Sequence, residues 1–403
     1  MTTAADAKAT TAPTTEQPAA ATLPVIHRGL AGVVADTTSV SNVVAETNSL
    51  TYRGYAVQDL AAHCSFEQVA YLLWHGELPT GAELTAFEAM QRPRRALSPG
   101  LMLALRLLPT VCHPMDTLRT AVSWIGSEDP DAGSPDADAN QLKSEMLLAQ
   151  IATVVAIDHR RRLGLEPIAP DESLGYVDNF FHMCFGSVPA PEIRHAFETS
   201  LILYAEHSFN ASTFTARVVT STTSDQYSAV TAAIGALKGS LHGGANEAVM
   251  HTMLAIDDPA KAADWMRSEL AAHRKVMGFG HRVYKNEDSR VPTMKAALWD
   301  TAAIVDGGER WTAMYTAMEQ TMLEARGIWP NLDFPTGPAY YLMGFNIEMF
   351  TPMFVMARIV GWTAHIAEQR AHNALIRPLS SYSGVGQRPV PIELATRGLV
   401  TGS

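Results

Sequence analysis

Residues 224–247 read SDQYSAVTAAIGALKGSLHGGANE, a stretch that carries a fold signal and a chemical signal together. Ser224 is placed to cap a helix over 225–238, because its hydroxyl can accept from a first-turn N–H. Gly239 then stops the helix, since glycine takes the left-handed end conformation without a Cβ penalty. A second helix opens near Asn246. Between the two, Gly243 and Gly244 let backbone approach a ligand closely, with His242 beside the gap. Free N–H groups at a helix start favour negative charge, so the junction suits a developing oxyanion. An ordinary helix–helix turn with a surface histidine would read the same way.

Similar punctuation recurs on either side. A helix over 311–326 ends at Gly327, and Thr351-Pro352 supplies an N-cap and first-turn pair for a long helix towards Ile376 that Pro378 must terminate. Upstream, 66–75 and 83–90 are amphipathic helices split by Leu78-Pro79, and the Asp/Pro/Gly/Ser-rich stretch 127–139 is an exposed loop. Strand signals are confined to 33–44 and 50–55, a short hairpin. There is no internal repeat and no βαβ alternation, which argues against a Rossmann or barrel architecture. The chain reads as all-α apart from that minor N-terminal hairpin.

The 403 residues, 47% apolar and 18% charged, suffice for a large core and about two or three domains. A net charge of −11, a pI near 5.7 and scattered basic residues exclude a nucleic-acid footprint. Cys64, Cys112 and Cys184 lie far apart with no CxxC, which fits free thiols in a reducing cytoplasm. No apolar run reaches the roughly 18–20 residues of a membrane span. Residues 1–22, rich in Ala, Thr and Pro, are expected to be a disordered tail without the charged and apolar regions of a signal peptide.

Three further segments carry chemistry. VMGFGHRVYK (276–285), running on to Arg290, brackets His281 with glycines and basic residues. Gly278 and Gly280 are no dinucleotide fingerprint, because no strand precedes them and the third glycine is absent. The loop could instead admit an adenine and hold phosphate, or be a basic solvated loop. PNLDFPTG (330–337) sets Asp333 between apolar neighbours, where desolvation would raise its pKa and make it a better base at neutral pH; it could equally cap a helix over 335–344. On the last long helix Arg358 lies among Met356, Ala357, Ile359 and Val360, and a buried arginine needs an anion to match it. Arg370, in Glu368-Gln369-Arg370, reads as a solvated face. Fourteen histidines include no HExxH, and His365 and His372 have no nearby acid to complete a ligand set, so no metal is expected.

Together these segments resemble the citrate synthase family. Its pattern is G-x-x-H-G-G-A-N-E, then a G-F-G-H loop ending in D-P-R, then N-x-D-F, then arginines on and after the last long helix. All occur here in order, except that Ser289 stands where the family has proline, which puts the placement of Arg290 in doubt. The likeness spans about residues 28–390 and includes LTYRGY (50–55), LLWHGELP (72–79), HPMD (113–116) and AEHSFNAS (205–212). It is strongest to the family's bacterial 2-methylcitrate synthases and their near relatives among bacterial citrate synthases.

The resemblance implies an almost all-α fold with a large helical domain (23–244 and 351–403) and a smaller helical domain (245–350). It implies condensation of propionyl-CoA, and also acetyl-CoA, with oxaloacetate and water to give 2-methylcitrate or citrate and CoA. His242 would donate to the thioester oxygen, Asp333 would remove the α-proton, and His281 would protonate the oxaloacetate carbonyl. His207, Arg290 and Arg358 would bind oxaloacetate, with Arg377 supplied by the partner subunit of a homodimer. Lys275, Val276, Met277, Gly278 and Phe279 would line the CoA site, and Lys285 would meet its phosphates. Acyl-CoA is then a co-substrate, with no permanently bound cofactor and no metal, and the protein would be cytoplasmic with no further regulatory domain. The alternatives are a citrate synthase preferring acetyl-CoA and, more remotely, a non-catalytic helical scaffold. Intact His242, His281 and Asp333 speak against the scaffold.

Overall fold

The computed structural model describes residues 25–284 and 286–390, so the expected tail 1–22 and Lys285 lie outside the described residues. Contacts divide the chain into two units, Met1–Thr37 with Arg377–Ser403, and Thr38–Ile376. Among the described residues the first unit holds one 3-10 turn, Arg28–Leu30, and is otherwise irregular and largely exposed. All the helices and strands below belong to the second.

It begins with an antiparallel sheet, β1 (Ser41–Val44), β2 (Ser49–Tyr52) and β3 (Tyr55–Ala56), in that order. Val43 faces Leu50 and Thr51 faces Ala56 in the register. Leu50 and Tyr52 point into the core while Ser49 and Thr51 alternate outward, the period of a half-buried strand. The expected hairpin is therefore extended by a third strand, and its first strand starts at Ser41, with 33–40 left irregular. β3 has two residues, too few to leave an alternating pattern in the sequence.

Sixteen α-helices follow among the described residues. They are α1 (Val57–His63), α2 (Phe66–His75), α3 (Gly81–Gln91), α4 (Pro99–Leu107), α5 (Pro114–Glu128), α6 (Ala137–Arg162), α7 (Tyr176–Phe185) and α8 (Pro191–Tyr204). Then come α9 (Ala211–Ser221), α10 (Gln226–Leu237), α11 (Ala245–Ile256), α12 (Pro259–Ala271), α13 (Val291–Ile304), α14 (Gly308–Arg326), α15 (Asp333–Leu342) and α16 (Phe350–Ala371). Their ends are set by side chains. Ser65 and Gln68 form a capping box on α2, and Thr80 and Glu83 another on α3, which starts ahead of the expected 83. Asp225, not Ser224, caps α10 by accepting from Ser228 N. α16 opens one residue before Thr351 and stops at Ala371, short of Ile376. Beyond it the backbone is claimed by the end of α9: Asn373 donates to Ser221 O, and Ile376 N donates to Ser221 Oγ. The exposed loop narrows at both ends, because α5 runs to Glu128 and Asp136 caps α6.

α16 is buried on almost every face, as a helix apolar all round must be, and packs against α6, α8, α9 and α10. The segments from α11 to α15 pack chiefly on one another, α12 on α14, α11 on α15, and α13 on both α14 and α15. α13 also meets α8, and α11 meets α16. The three cysteines are unpaired. Among the described residues no helix is long and apolar enough to cross a membrane.

Candidate active site

The turn between α8 and α9 is the hub. Its shape is held from the sheet, where the Tyr52 hydroxyl accepts from Glu206 N (3.1 Å) and lies 2.9 Å from Glu206 O and 3.0 Å from Ile202 O. Ser41 Oγ donates to Glu206 Oε1 (2.8 Å) and accepts from Ser208 N (3.0 Å). From this turn and the end of α8 contacts radiate to the residues that the sequence singled out. Leu203 O accepts from Arg290 Nη1 at 3.5 Å, and Tyr204 O accepts from Arg358 Nε at 2.6 Å. The Tyr204 hydroxyl donates to Asp333 Oδ1 at 2.6 Å, and the His207 ring lies 5.0 Å from that of His281.

His242 sits in the turn between α10 and α11. His242 N donates to Gly239 O, and Gly243 N donates to Leu237 O. A Cβ at Gly243 would fall 2.6 Å from that carbonyl, so only glycine fits. His242 Nε2 accepts from Ser212 N (3.2 Å) and lies 2.8 Å from Ser212 Oγ. A backbone N–H can only donate, so the proton of the neutral ring rests on Nδ1. Burial, reinforced by the Arg358 cation, pushes the His242 pKa down to about 4.

His281 has the opposite tautomer. Its Nδ1 accepts from Val283 N (3.0 Å) and Tyr284 N (3.2 Å), which leaves the proton on Nε2. Burial, with Arg290 nearby, brings its pKa to about 4 as well. Both rings are neutral near pH 7, each with one N–H free to donate.

Asp333 is the first residue of α15, not a cap for a later helix as the alternative reading had it. Burial raises its pKa to about 6, although the Tyr204 hydroxyl and the Arg290 and Arg358 cations pull it down. Arg290 is buried in a two-toothed pair with Asp288, Nε to Oδ1 at 2.9 Å and Nη2 to Oδ2 at 2.7 Å, and this pair holds its pKa above the ordinary value. Asp288 Oδ2 also accepts from Leu332 N, tying Arg290 to the segment before Asp333. With Ser289 in place of proline, Arg290 is thus firmly seated. Arg358 is 2% exposed and lies over the Phe354 ring at 4.7 Å. Burial lowers its pKa to about 10, so it stays a cation. Burial first, then the Arg290 and Arg358 charges, hold His207 well below the usual histidine range. Its Nε2 is buried without a hydrogen-bond partner among the described residues.

The loop before His281 is stitched to the loop before Asp333. Gly280 N donates to Trp329 O (2.8 Å), Asn331 N to Gly278 O (2.9 Å), and Asn331 Nδ2 to Gly280 O (3.0 Å). Gly278, at φ +87°, has no room for a Cβ, which would fall 2.5 Å from Val249 Cγ2. Val276, Gly278 and Phe279 are buried, Met277 is half-buried and Lys275 is exposed. Arg377 is exposed and belongs to the other unit. Lys285 lies outside the described residues. Arg370, read as a solvated face, is partly buried and donates to Ser134 O and Ser224 O.

Sequence reasoning missed Tyr204, Ser212, Asp288 and Phe354. Ser212 and Asp288 lay inside quoted motifs without a role of their own, and Tyr204 directly precedes one. Of the aromatic residues that follow Asp333 in the chain, Phe334 packs between Phe279 and Tyr315, Tyr340 bonds Ser200, and Tyr341 meets Trp311 edge-on. The rings joining Asp333 to His242 are Tyr204, 4.0 Å from Phe354, and Phe354, 6.5 Å from His242. Among the described residues no group of three His, Cys, Asp or Glu side chains is placed to hold a metal ion. A surface cavity of about 530 Å³ on α5 and α10, lined by Arg119, Ser123, Tyr227 and Thr231, includes none of the residues above.

The family model described as citrate synthase, C-terminal domain, matches residues 29–379. The chain belongs to the citrate synthase family. Among relatives in this family, a 2-methylcitrate synthase of Mycobacterium tuberculosis is 62% identical over 95% of this chain and 96% of its own length. A citrate synthase of Mycolicibacterium smegmatis is 64% identical over 91% of this chain and 97% of its own. The citrate synthase of Thermoplasma acidophilum, solved as a ternary complex with carboxymethyl coenzyme A and oxaloacetate, superposes with a TM-score of 0.87 at 30% identity. That match covers 92% of this chain and 99% of the other.

Proposed function

We propose that this citrate synthase family member condenses propionyl-CoA, and also acetyl-CoA, with oxaloacetate and water, releasing CoA and 2-methylcitrate or citrate. One observation carries the chemistry: a buried carboxyl with its pKa near 6 and two neutral histidines of opposite tautomer are joined through the end of α8, the turn after it and the start of α9. A thioester α-proton is weakly acidic, so a base alone is insufficient. Asp333 takes that proton while His242 Nδ1–H donates to the thioester oxygen, an interaction worth about 3–4 kcal/mol in comparable sites. The enol carbon then forms a bond to the keto carbon of oxaloacetate, and His281 Nε2–H delivers a proton to the carbonyl oxygen as its π bond breaks. The proton taken by Asp333 returns through water to restore the neutral His281 ring and the Asp333 carboxylate. Water finally cleaves the new thioester, which makes the sequence irreversible in practice.

In this reading Arg290, Arg358 and His207 hold the oxaloacetate carboxylates, because guanidinium forks match them, and Arg377 of the partner subunit completes the set. Lys275, Val276, Met277, Gly278 and Phe279 border the CoA, with Lys285 at its phosphates. CoA enters and leaves as a co-substrate, and the scheme requires no metal. Residues 23–244 with 351–403 form the large domain of a cytoplasmic homodimer and 245–350 the small one, whose closure excludes water before enolisation. The experiment follows CoA release with each thioester at limiting oxaloacetate. kcat/KM should be higher for propionyl-CoA, since a fitting pocket gains about 0.8 kcal/mol from the added carbon. A clear preference for acetyl-CoA would sink the 2-methylcitrate reading, and no release with either would sink the condensation.

A further inference from the structure

We propose that the hydrogen bond between Ser289 and Tyr284 is a strut that positions His281 against Arg290 for oxaloacetate turnover; this rests on the reading above. The Ser289 hydroxyl lies 3.1 Å from the Tyr284 hydroxyl, and both residues are buried. Tyr284 touches the site twice. Its N–H is one of the two donors that fix the His281 tautomer, and its ring lies 4.6 Å from the His281 ring. The same ring stands edge-on to His207 at 5.6 Å. Ser289, for its part, separates Asp288 from Arg290, the two members of the buried ion pair. The hydroxyl–hydroxyl bond therefore spans from the anion-binding arginine to the proton-donating histidine, a link that proline in this position cannot make. The two ends are otherwise held apart: Ser289 O accepts from Gln58 Nε2 at 2.7 Å, and His281 hangs from the loop paired with 329–331. Both anchors remain when the hydroxyl is removed, so its loss leaves the segment folded and frees only the relative placement of the two groups.

Neither residue touches a reacting atom, so both act as positioning residues. The test is a double-mutant cycle with Ser289→Ala, Tyr284→Phe and the pair, the phenylalanine keeping the ring. Each single change should lower kcat/KM for oxaloacetate about three- to tenfold, and the double variant should be no worse than either single one. KM for the acyl-CoA should stay within about twofold of wild type, because the strut reaches only the oxaloacetate side. Effects that multiply in the double variant, or single variants with wild-type kinetics, would overturn the strut. A second readout needs no turnover: His281 should keep its Nε2–H tautomer in all variants, because both backbone donors to Nδ1 remain, while its ring 1H and 15N signals shift in both single variants as the ring loses its fixed placement. Should the wild-type protein release CoA from no thioester, the condensation reading fails. The histidine spectrum still decides the inference, His281 ring signals unshifted in both variants overturning it.

Discussion

Asp333 is held between burial, which keeps its proton on, and the Tyr204 hydroxyl, which favours the carboxylate. In its proposed role as the base it must be ionised, so kcat/KM should fall as the pH drops through about 6. Tyr204→Phe removes a contact that lowers the Asp333 pKa, so the acid limb of the pH–rate profile should move to higher pH. A profile flat down to pH about 5, well below the folded pKa, would exclude Asp333 as the base. Asp333→Asn should cost about 10²–10⁴-fold in kcat while oxaloacetate binding, measured calorimetrically, survives. Asp333 was legible because an acid between Leu332 and Phe334 announces its own desolvation. Tyr204 was not, since it lies 129 residues away and its role exists only once α8 and α15 meet.

At the scale of elements, the sheet does more than its length suggests. Tyr52→Phe keeps the ring but strips the hydroxyl from the backbone groups at the end of α8. Leaving them unpaired should cost about 1–3 kcal/mol of stability, read as a lower Tm, and raise KM for oxaloacetate by disturbing His207. α6 carries a different tension. His159 is buried with both ring nitrogens unpaired among the described residues, its ring 5.4 Å from that of Phe185 and 5.9 Å from that of Phe345. Burial, helped by Arg160, lowers its pKa from 6.5 to about 4. Between these values the unfolded chain binds the proton and the fold does not, so this residue withdraws stability as pH falls from about 6.5 towards 4. His159→Leu should therefore gain Tm over wild type by a margin that widens on acidification, up to about 3 kcal/mol. A constant margin from pH 8 to 4.5 would show that His159 does not titrate with unfolding. α2 was readable to its ends because Ser65 and Gly76 mark them in the sequence. α16 was not, because what stops it is Ser221 at the end of α9, a tertiary partner.

For the whole molecule, the mainly helical class and the order of the motifs were readable from punctuation and spacing. The assembly of those motifs around one turn was not, since pairing at long range leaves no local mark. The proposed sharing of Arg377 between subunits makes a prediction at this scale. Inactive Arg377→Ala and His281→Ala chains, mixed under conditions that exchange subunits, should recover about a quarter of wild-type sites, half of the dimers being mixed with one intact site each. No recovery despite demonstrated exchange would mean that each subunit is self-sufficient.

Tyr52 and Glu206 are 154 positions apart, as are Arg358 and Tyr204. Closing loops of that size is entropically slow and comes after local helix formation. A folding intermediate rich in helix but lacking these closures would hold Tyr204 and His207 in no fixed place. The chemistry is thereby reserved for molecules that have finished folding, and a half-made chain can neither enolise a thioester nor waste one.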